Sequence, residues 1–210
     1  MRRVDIAFGE RAWTEPQTDS VMDALRAATS HCHRRLEKRL NVAERFSNAA
    51  AYRSYLEVMF GFYVPFEQSL SGHAVRRVLT DFGARCKSSL LSRDLEALGA
   101  DPDAIAGLPH CSDIPFCQDE AAGLGSLYVL EGATLGGQVL LPLVVQRLGL
   151  SCECGASYLG SYGSGIPIMW QRFGSVVETW CVDRTRRARA AAAAVATFEC
   201  LEAWICGTPA

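Results

Sequence analysis

The stretch YVLEGATLGGQVLLPLVV, Tyr128 to Val145, constrains this chain more than any other, because it sets three glycines inside an apolar run whose one charge is Glu131. As a phosphate-cradling loop, GATLGGQV (132–139) lacks the two side chains that the G-x-x-x-x-G-K-[ST] pattern requires. Gln138 stands where a lysine would reach the phosphates, and Val139 where a hydroxyl would meet the metal ion. As a dimerising membrane helix, the Gly132–Gly136 spacing fits. Yet Glu131 would then lie near the bilayer centre, glycines and Pro142 interrupt the run, and no Lys/Arg cluster flanks it. What remains is a buried helix that another surface approaches closely, with no membrane span.

Helical periodicity extends along most of the chain. Ser20 offers a helix cap with Asp23 at the third helical position, and apolar residues follow at 21, 25, 28, 32, 36 and 40, which predicts a helix over 20–40. A second helix is predicted over 47–70, with an aromatic stripe of Tyr52, Tyr55, Phe60, Tyr63 and Phe66, and with Pro65 as a place to bend. SSLLSRDLEALG (88–99) reads as a third helix ended by Gly99. Loop composition dominates 100–118, the glycine-bearing helix covers 119–148, SCECGASYLGSYGSG reads as loop, and two helices fit 166–182 and 185–205. The second of these contains an alanine-rich run, alanine being the best helix former. No alternating strand pattern occurs, so the fold class is all-α: a single-domain bundle of six to eight helices over 19–206, preceded by a loosely held arm at 1–18.

Composition narrows the function. At 210 residues with a net charge of -2, the chain is sized for one core and carries no basic field for nucleic acid. Its N-terminus has two arginines but no apolar secretion segment, which predicts a cytoplasmic location. The nine cysteines are odd in number and lack any C-x-x-C pair, so reduced thiols are expected rather than a disulfide framework. Cys152 and Cys154 have no second pair to complete a zinc site. Glu-x-x-His, the mark of a di-iron bundle, is missing, as is G-x-S-x-G.

Two of four histidines fall in HCHRR, at His31 and His33. Two residues apart on a helix means about 200° apart, so they cannot share a metal ion. With Cys32 at zero, the apolar stripe spans roughly -40° to +80°, placing His33 at about +100° on its edge and His31 at about -100° outside it. Arg26 and Glu37 share the edge of His33. A carboxylate four residues on fixes the imidazole tautomer, leaving the other nitrogen for a metal, and an arginine about 10 Å away can pair with an acid group at the rim of a flat ligand. The plainer alternative is an exposed histidine in an i, i+4 helix pair with Glu37. Across from such a histidine, Gly132, Gly136 and Gly137 would strip side chains from a helix face, so that backbone could lie against a planar group such as haem.

LRAATSHCHRRLE (25–37) resembles the proximal helix of haem oxygenases, and LYVLEGATLGGQVL (127–140) resembles their distal helix. Its LEGATLGG core is most similar to the bacterial, biliverdin-producing branch associated with bacteriophytochromes. DLEALG (94–99) and TFECLEAW (197–204) also fit, so the resemblance covers roughly 20–206. It implies that His33 is the axial iron ligand, Glu37 the carboxylate behind it, Arg26 a propionate contact, and Gly132 and Gly136 the distal glycines. Arg172 is the candidate for a second propionate contact. Where mammalian members carry an aspartate after the first distal glycine, this chain has Ala133, so backbone groups and ordered water would have to support oxygen activation. The implied activity is O2- and reductant-dependent opening of haem to biliverdin, CO and ferrous iron. Electrons would come from a donor such as ferredoxin or a small reductant, and the product would go to a bacteriophytochrome. The alternative is a non-catalytic haem- or bilin-binding protein of the same fold.

Overall fold

The computed structural model describes residues 20–207 apart from residue 73, so the predicted arm at 1–18 lies outside the described residues. In chain order the helices are α1 (Val21–Leu40), α2 (Val42–Arg45), α3 (Ala49–Ser71), α4 (Val75–Val78), α5 (Phe82–Arg85), α6 (Ser88–Ala97), α7 (Pro102–Ala106), α8 (Glu120–Leu148), α9 (Ser157–Gly160), α10 (Ile166–Trp180) and α11 (Arg184–Gly207). Among the described residues no β-strand forms; Ser151 and Cys154 make only an isolated bridge. The expected all-α bundle is therefore what the chain adopts.

The six longer helices fall where periodicity predicts them. Single-turn helices make up the difference. Segment 100–118, expected as loop, contains α7 because Asp101 caps it, accepting from the Asp103 amide at 2.9 Å, and Pro102 supplies a helical φ at its first position. The 151–165 segment, also expected as loop, contains α9. These turns are too short to show a period of 3.6, and their signal lies in caps that only the fold completes. Both Pro65 and Pro142 sit inside continuous helices rather than ending them.

Two caps place the helices that matter. Ser20 Oγ accepts from the Asp23 amide as predicted, and Glu178 of α10 adds a carboxylate that accepts from the Val21 and Met22 amides, each at 2.9 Å. Four amides at a helix start have no partner within the helix, so this carboxylate at the positive end of the dipole ties α10 to the start of α1. Asp94 of α6 is fully buried and accepts from the Ser157 amide and hydroxyl and from the Tyr158 amide. It thereby fixes α9 against α6.

The core is aromatic on its α3 side, where Tyr52, Phe62 and Phe66 are fully buried and Tyr63 meets Tyr158 of α9 edge-on at 5.5 Å. On the other side α8 packs on α11 through glycine. A Cβ on Gly125 would lie 2.0 Å from the Ala190 carbonyl oxygen, so the two backbones touch with no room for a methyl group. α8 and α11 are long and apolar enough to cross a bilayer, and in this fold they pack against each other. Glu131, the lone charge of the run, is buried at 2% exposure and paired with Arg85 at 2.5 Å.

Candidate haem site

Three helices, α1, α10 and α11, lie around the glycine-bearing part of α8. Thr29 of α1 meets the half-buried Tyr128 of α8, whose hydroxyl is pushed to higher pKa by burial and drawn back by the Thr29 hydroxyl and the nearby Arg26. One helical turn beyond Thr29 lies His33, and one turn beyond Tyr128 lies Gly132. Trp170 of α10 packs against the Tyr128 ring at 5.7 Å. Phe198 of α11 meets the His33 ring edge-on at 5.9 Å.

Along α8, taking Tyr128 as zero and about 100° per residue, Leu135 lies at about -20°, Val139 at +20°, Gly132 at +40° and Gly136 at +80°. These residues are a single stripe. Leu135 and Val139 are exposed, at 37% and 38%. A Cβ at Gly136 would meet nothing within 4 Å, and one at Gly132 only the edge of Trp170 at 3.9 Å. The result is a bare backbone ledge flanked by uncovered apolar side chains, the surface that a flat apolar ligand fits and that water wets at a cost.

Gly137 does not belong to that ledge, contrary to the sequence expectation. It points about 180° from Tyr128, and a Cβ there would lie 2.7 Å from the Leu159 carbonyl oxygen. Its glycine is needed for close approach of α9. Ala133, at about +140°, is exposed and lies outside the stripe.

On α1, the buried residues are Val21, Leu25, Thr29 and Cys32. His33 stands just outside them with its side chain 54% exposed, and Glu37 Oε2 lies 3.5 Å from its Nδ1. The plain i, i+4 pair and the ligand-orienting pair are the same contact, and the ring is also packed on Phe198. His31 is exposed and points away. Arg26 is exposed and held at 2.9 Å by Asp23, at the Tyr128 end of the ledge. Arg172 is not brought to this group. It is exposed on α10, about 200° round from Trp170, and its charge instead helps hold the Asp81 carboxyl below the usual range, chiefly the work of Arg85.

Sequence reasoning missed the polar cluster behind α8. Arg85 bridges Asp81 at 2.8 Å and Glu131 at 2.5 Å, and the Tyr162 hydroxyl donates to Glu131 at 2.7 Å. Lys87 lies with Nζ 3.7 Å from the Tyr162 ring centre, and burial pushes its ammonium down to about 8. Glu131 standing alone in an apolar helix was the available signal: a buried carboxylate demands a cation, though nothing in the sequence says which. No cluster of three or more His, Cys, Asp or Glu side chains fit to hold a metal ion occurs among the described residues. The ledge, its apolar flanks and a histidine on the neighbouring helix α1 are residues that fit a flat ligand such as haem.

Comparison with known proteins identifies the family and the fold. The family model described as Heme oxygenase matches residues 19–206. A heme oxygenase of Xanthomonas campestris pv. campestris (strain 8004) is 33% identical over 136 residues, covering 63% of this chain and 75% of that protein. The fold superposes on the NO- and CO-bound heme oxygenase of Neisseria meningitidis with a TM-score of 0.74 at 18% identity, covering 91% of this chain and 94% of that one. It also superposes on heme oxygenase of Leptospira interrogans with a TM-score of 0.72 at 19% identity, covering 90% and 100%. Matched by the family model almost end to end, with a relative 33% identical, the chain belongs to the haem oxygenase family of haem-degrading oxidoreductases.

Proposed function

We propose that this chain opens haem to biliverdin, CO and ferrous iron, with His33 as its one protein ligand to iron and the α8 ledge over the opposite face. The observation that carries this reading is the space at Gly132 and Gly136, where helix backbone is left uncovered beside exposed Leu135 and Val139. Bound there, haem supplies the redox chemistry, taking O2 and electrons from a ferredoxin-like or small-molecule donor. The chain's own residues hold and direct it. Glu37, with Oε2 3.5 Å from Nδ1 of His33, would take a hydrogen bond from that nitrogen and leave the other free to hold the haem. Phe198 fixes the plane of the ring. Arg26 pairs with a propionate at the Tyr128 end, exchanging Asp23 for the ligand. Backbone at Gly132 and Gly136 would lie against the haem and limit the room on that face, steering which edge of the macrocycle reacts. Protons come through water held by backbone groups, since Ala133 has none to offer. A bacteriophytochrome is the acceptor this reading assigns to the product.

The test is haemin titration of the purified chain, followed by reductant under air. A Soret band and the later absorbance of biliverdin are expected. His33→Ala should lose the axial spectrum and turnover, and His31→Ala should keep both. A stable Soret band without product favours the non-catalytic binder, no band ends the haem reading, and equal behaviour of the two histidine variants ends the assignment of His33.

A further inference from the structure

A second site lies away from the ledge, on the opposite flank of α11. There a cavity of about 670 Å³ is lined by Pro109, Cys111, Asp113, Glu199, Cys200 and Trp204. Cys111 Sγ and Cys200 Sγ stand 3.7 Å apart at its wall, in van der Waals contact. Cys111 is buried at 5%, while Cys200 is half-buried and reaches the Asp113 carbonyl oxygen at 3.3 Å. Both are free thiols. We propose that Cys111 and Cys200 form a dithiol that hydrogen peroxide converts to a disulfide, a modification site that tethers the segment between α7 and α8 to α11.

The geometry carries the chemistry. A disulfide needs about 2.05 Å between sulfurs, so the pair must close by roughly 1.7 Å. Cys111 rides on a connecting segment rather than a helix, and Cys200 on a regular helix, so the closure falls to the segment. That segment is anchored to α3, with the Cys111 amide donating to the Gly61 carbonyl at 2.9 Å, which holds its sulfur in register. Cys200, facing the cavity, is the sulfur a small oxidant reaches. Its thiolate attacks one peroxide oxygen, the O–O bond breaks, and hydroxide leaves to give a sulfenic acid. Cys111 as thiolate then attacks that sulfur, the S–O bond breaks, and a second hydroxide leaves. The two thiol protons and two hydroxides make two waters; the sulfur pair loses two electrons and the peroxide gains them. Burial and the neighbouring thiol push Cys200 up to about 12, so the rate should climb with pH through the neutral and alkaline range. The tether acts on a helix that touches the proximal side: Phe198 contacts His33, and Glu202 holds Arg35 and Arg39 of α1.

The test treats the reduced, haem-free full chain with hydrogen peroxide, then alkylates, digests and maps it by mass spectrometry. Expected are a Cys111–Cys200 cross-linked peptide lighter by about 2 Da than the sum of its parts, and two fewer titratable thiols than the nine of the reduced chain. A higher unfolding midpoint than the reduced chain, reversed by dithiothreitol, should accompany them. Cys111→Ser and Cys200→Ser should each abolish the cross-link and the stabilisation. A cross-link joining other cysteines, sulfinic acid at Cys200 without a cross-link, or loss of two thiols persisting in Cys111→Ser would overturn the proposal. Because the peptide map is made on the unaltered chain, it decides the matter even if a variant fails to fold.

Discussion

Adjacent glycines on one helix should respond to the same methyl group with opposite sign. At Gly136 a Cβ meets nothing within 4 Å, and at Gly137 it lies 2.7 Å from the Leu159 carbonyl oxygen. Alanine is favoured over glycine in a helix interior by about 0.5–1 kcal/mol. With no clash to offset it, Gly136→Ala should stabilise the haem-free protein by that amount, raising the unfolding midpoint by about 1–4 °C for a chain of this size. Gly137→Ala gains the same propensity but must push α9 outward. That element is pinned by three hydrogen bonds to buried Asp94, so it cannot simply retreat. Overpacking of this kind costs roughly 1–3 kcal/mol, and the rigid carbonyl at 2.7 Å puts it toward the upper end, leaving a net loss of up to about 2.5 kcal/mol. Function should divide the other way. The Gly136 methyl projects from the ledge, and displacement at a reacting centre by about 1 Å can cost up to 10²-fold in rate. Turnover of haemin should therefore collapse in Gly136→Ala and survive in Gly137→Ala, once the latter is assayed well below its midpoint. Urea unfolding of both variants, with haemin titration and single-turnover absorbance, provides the measurement. If Gly136→Ala is destabilised, or turns over haem like the parent, the ledge is not where the ligand lies.

Two further outcomes follow from the polar cluster. Glu131→Leu leaves Arg85 buried with only Asp81 to pair it, so unfolding free energy should fall by about 3–5 kcal/mol, toward the lower end because the Asp81 contact survives; a loss below about 1 kcal/mol in urea titration would refute the pairing. Burial pushes the Lys87 ammonium from 10.5 to about 8, so between those values the unfolded chain keeps a proton the folded chain has released. Stability from this residue must then rise with pH across that window, by up to about 1.4 kcal/mol per unit. Lys87→Met should remove the rise, and the difference between parent and variant isolates it from thiols titrating nearby; a parent-minus-variant slope of zero or below would contradict the burial of the charge.

How far the sequence could be read depended on the range over which each signal acts. The longer helices were legible because amphipathic spacing repeats within a single segment, and Ser20 with Asp23 marked a cap through contacts three residues apart. Glu178, which completes that cap, lies 156 residues from Met22, and no local rule could pair them. The same limit hid α7 and α9, each a turn long and held by partners outside its own periodicity. At the site, the edge position of His33 and its Glu37 neighbour came from helix geometry alone. Arg172 failed because a basic residue on a helix carries no mark of which helix it faces, and here it faces Asp81.

By itself the sequence determined the all-α class, the helix that must be approached closely and the histidine that could serve a ligand, since each follows from residue type and a fixed rise and twist. Tertiary structure alone decided what approaches each glycine: Ala190 at Gly125, Leu159 at Gly137, and open space at Gly136. A glycine reports only that a side chain is missing. Whether the gap admits a neighbouring backbone or a ligand depends on which element the fold brings against it, and that is set by contacts far apart in the chain.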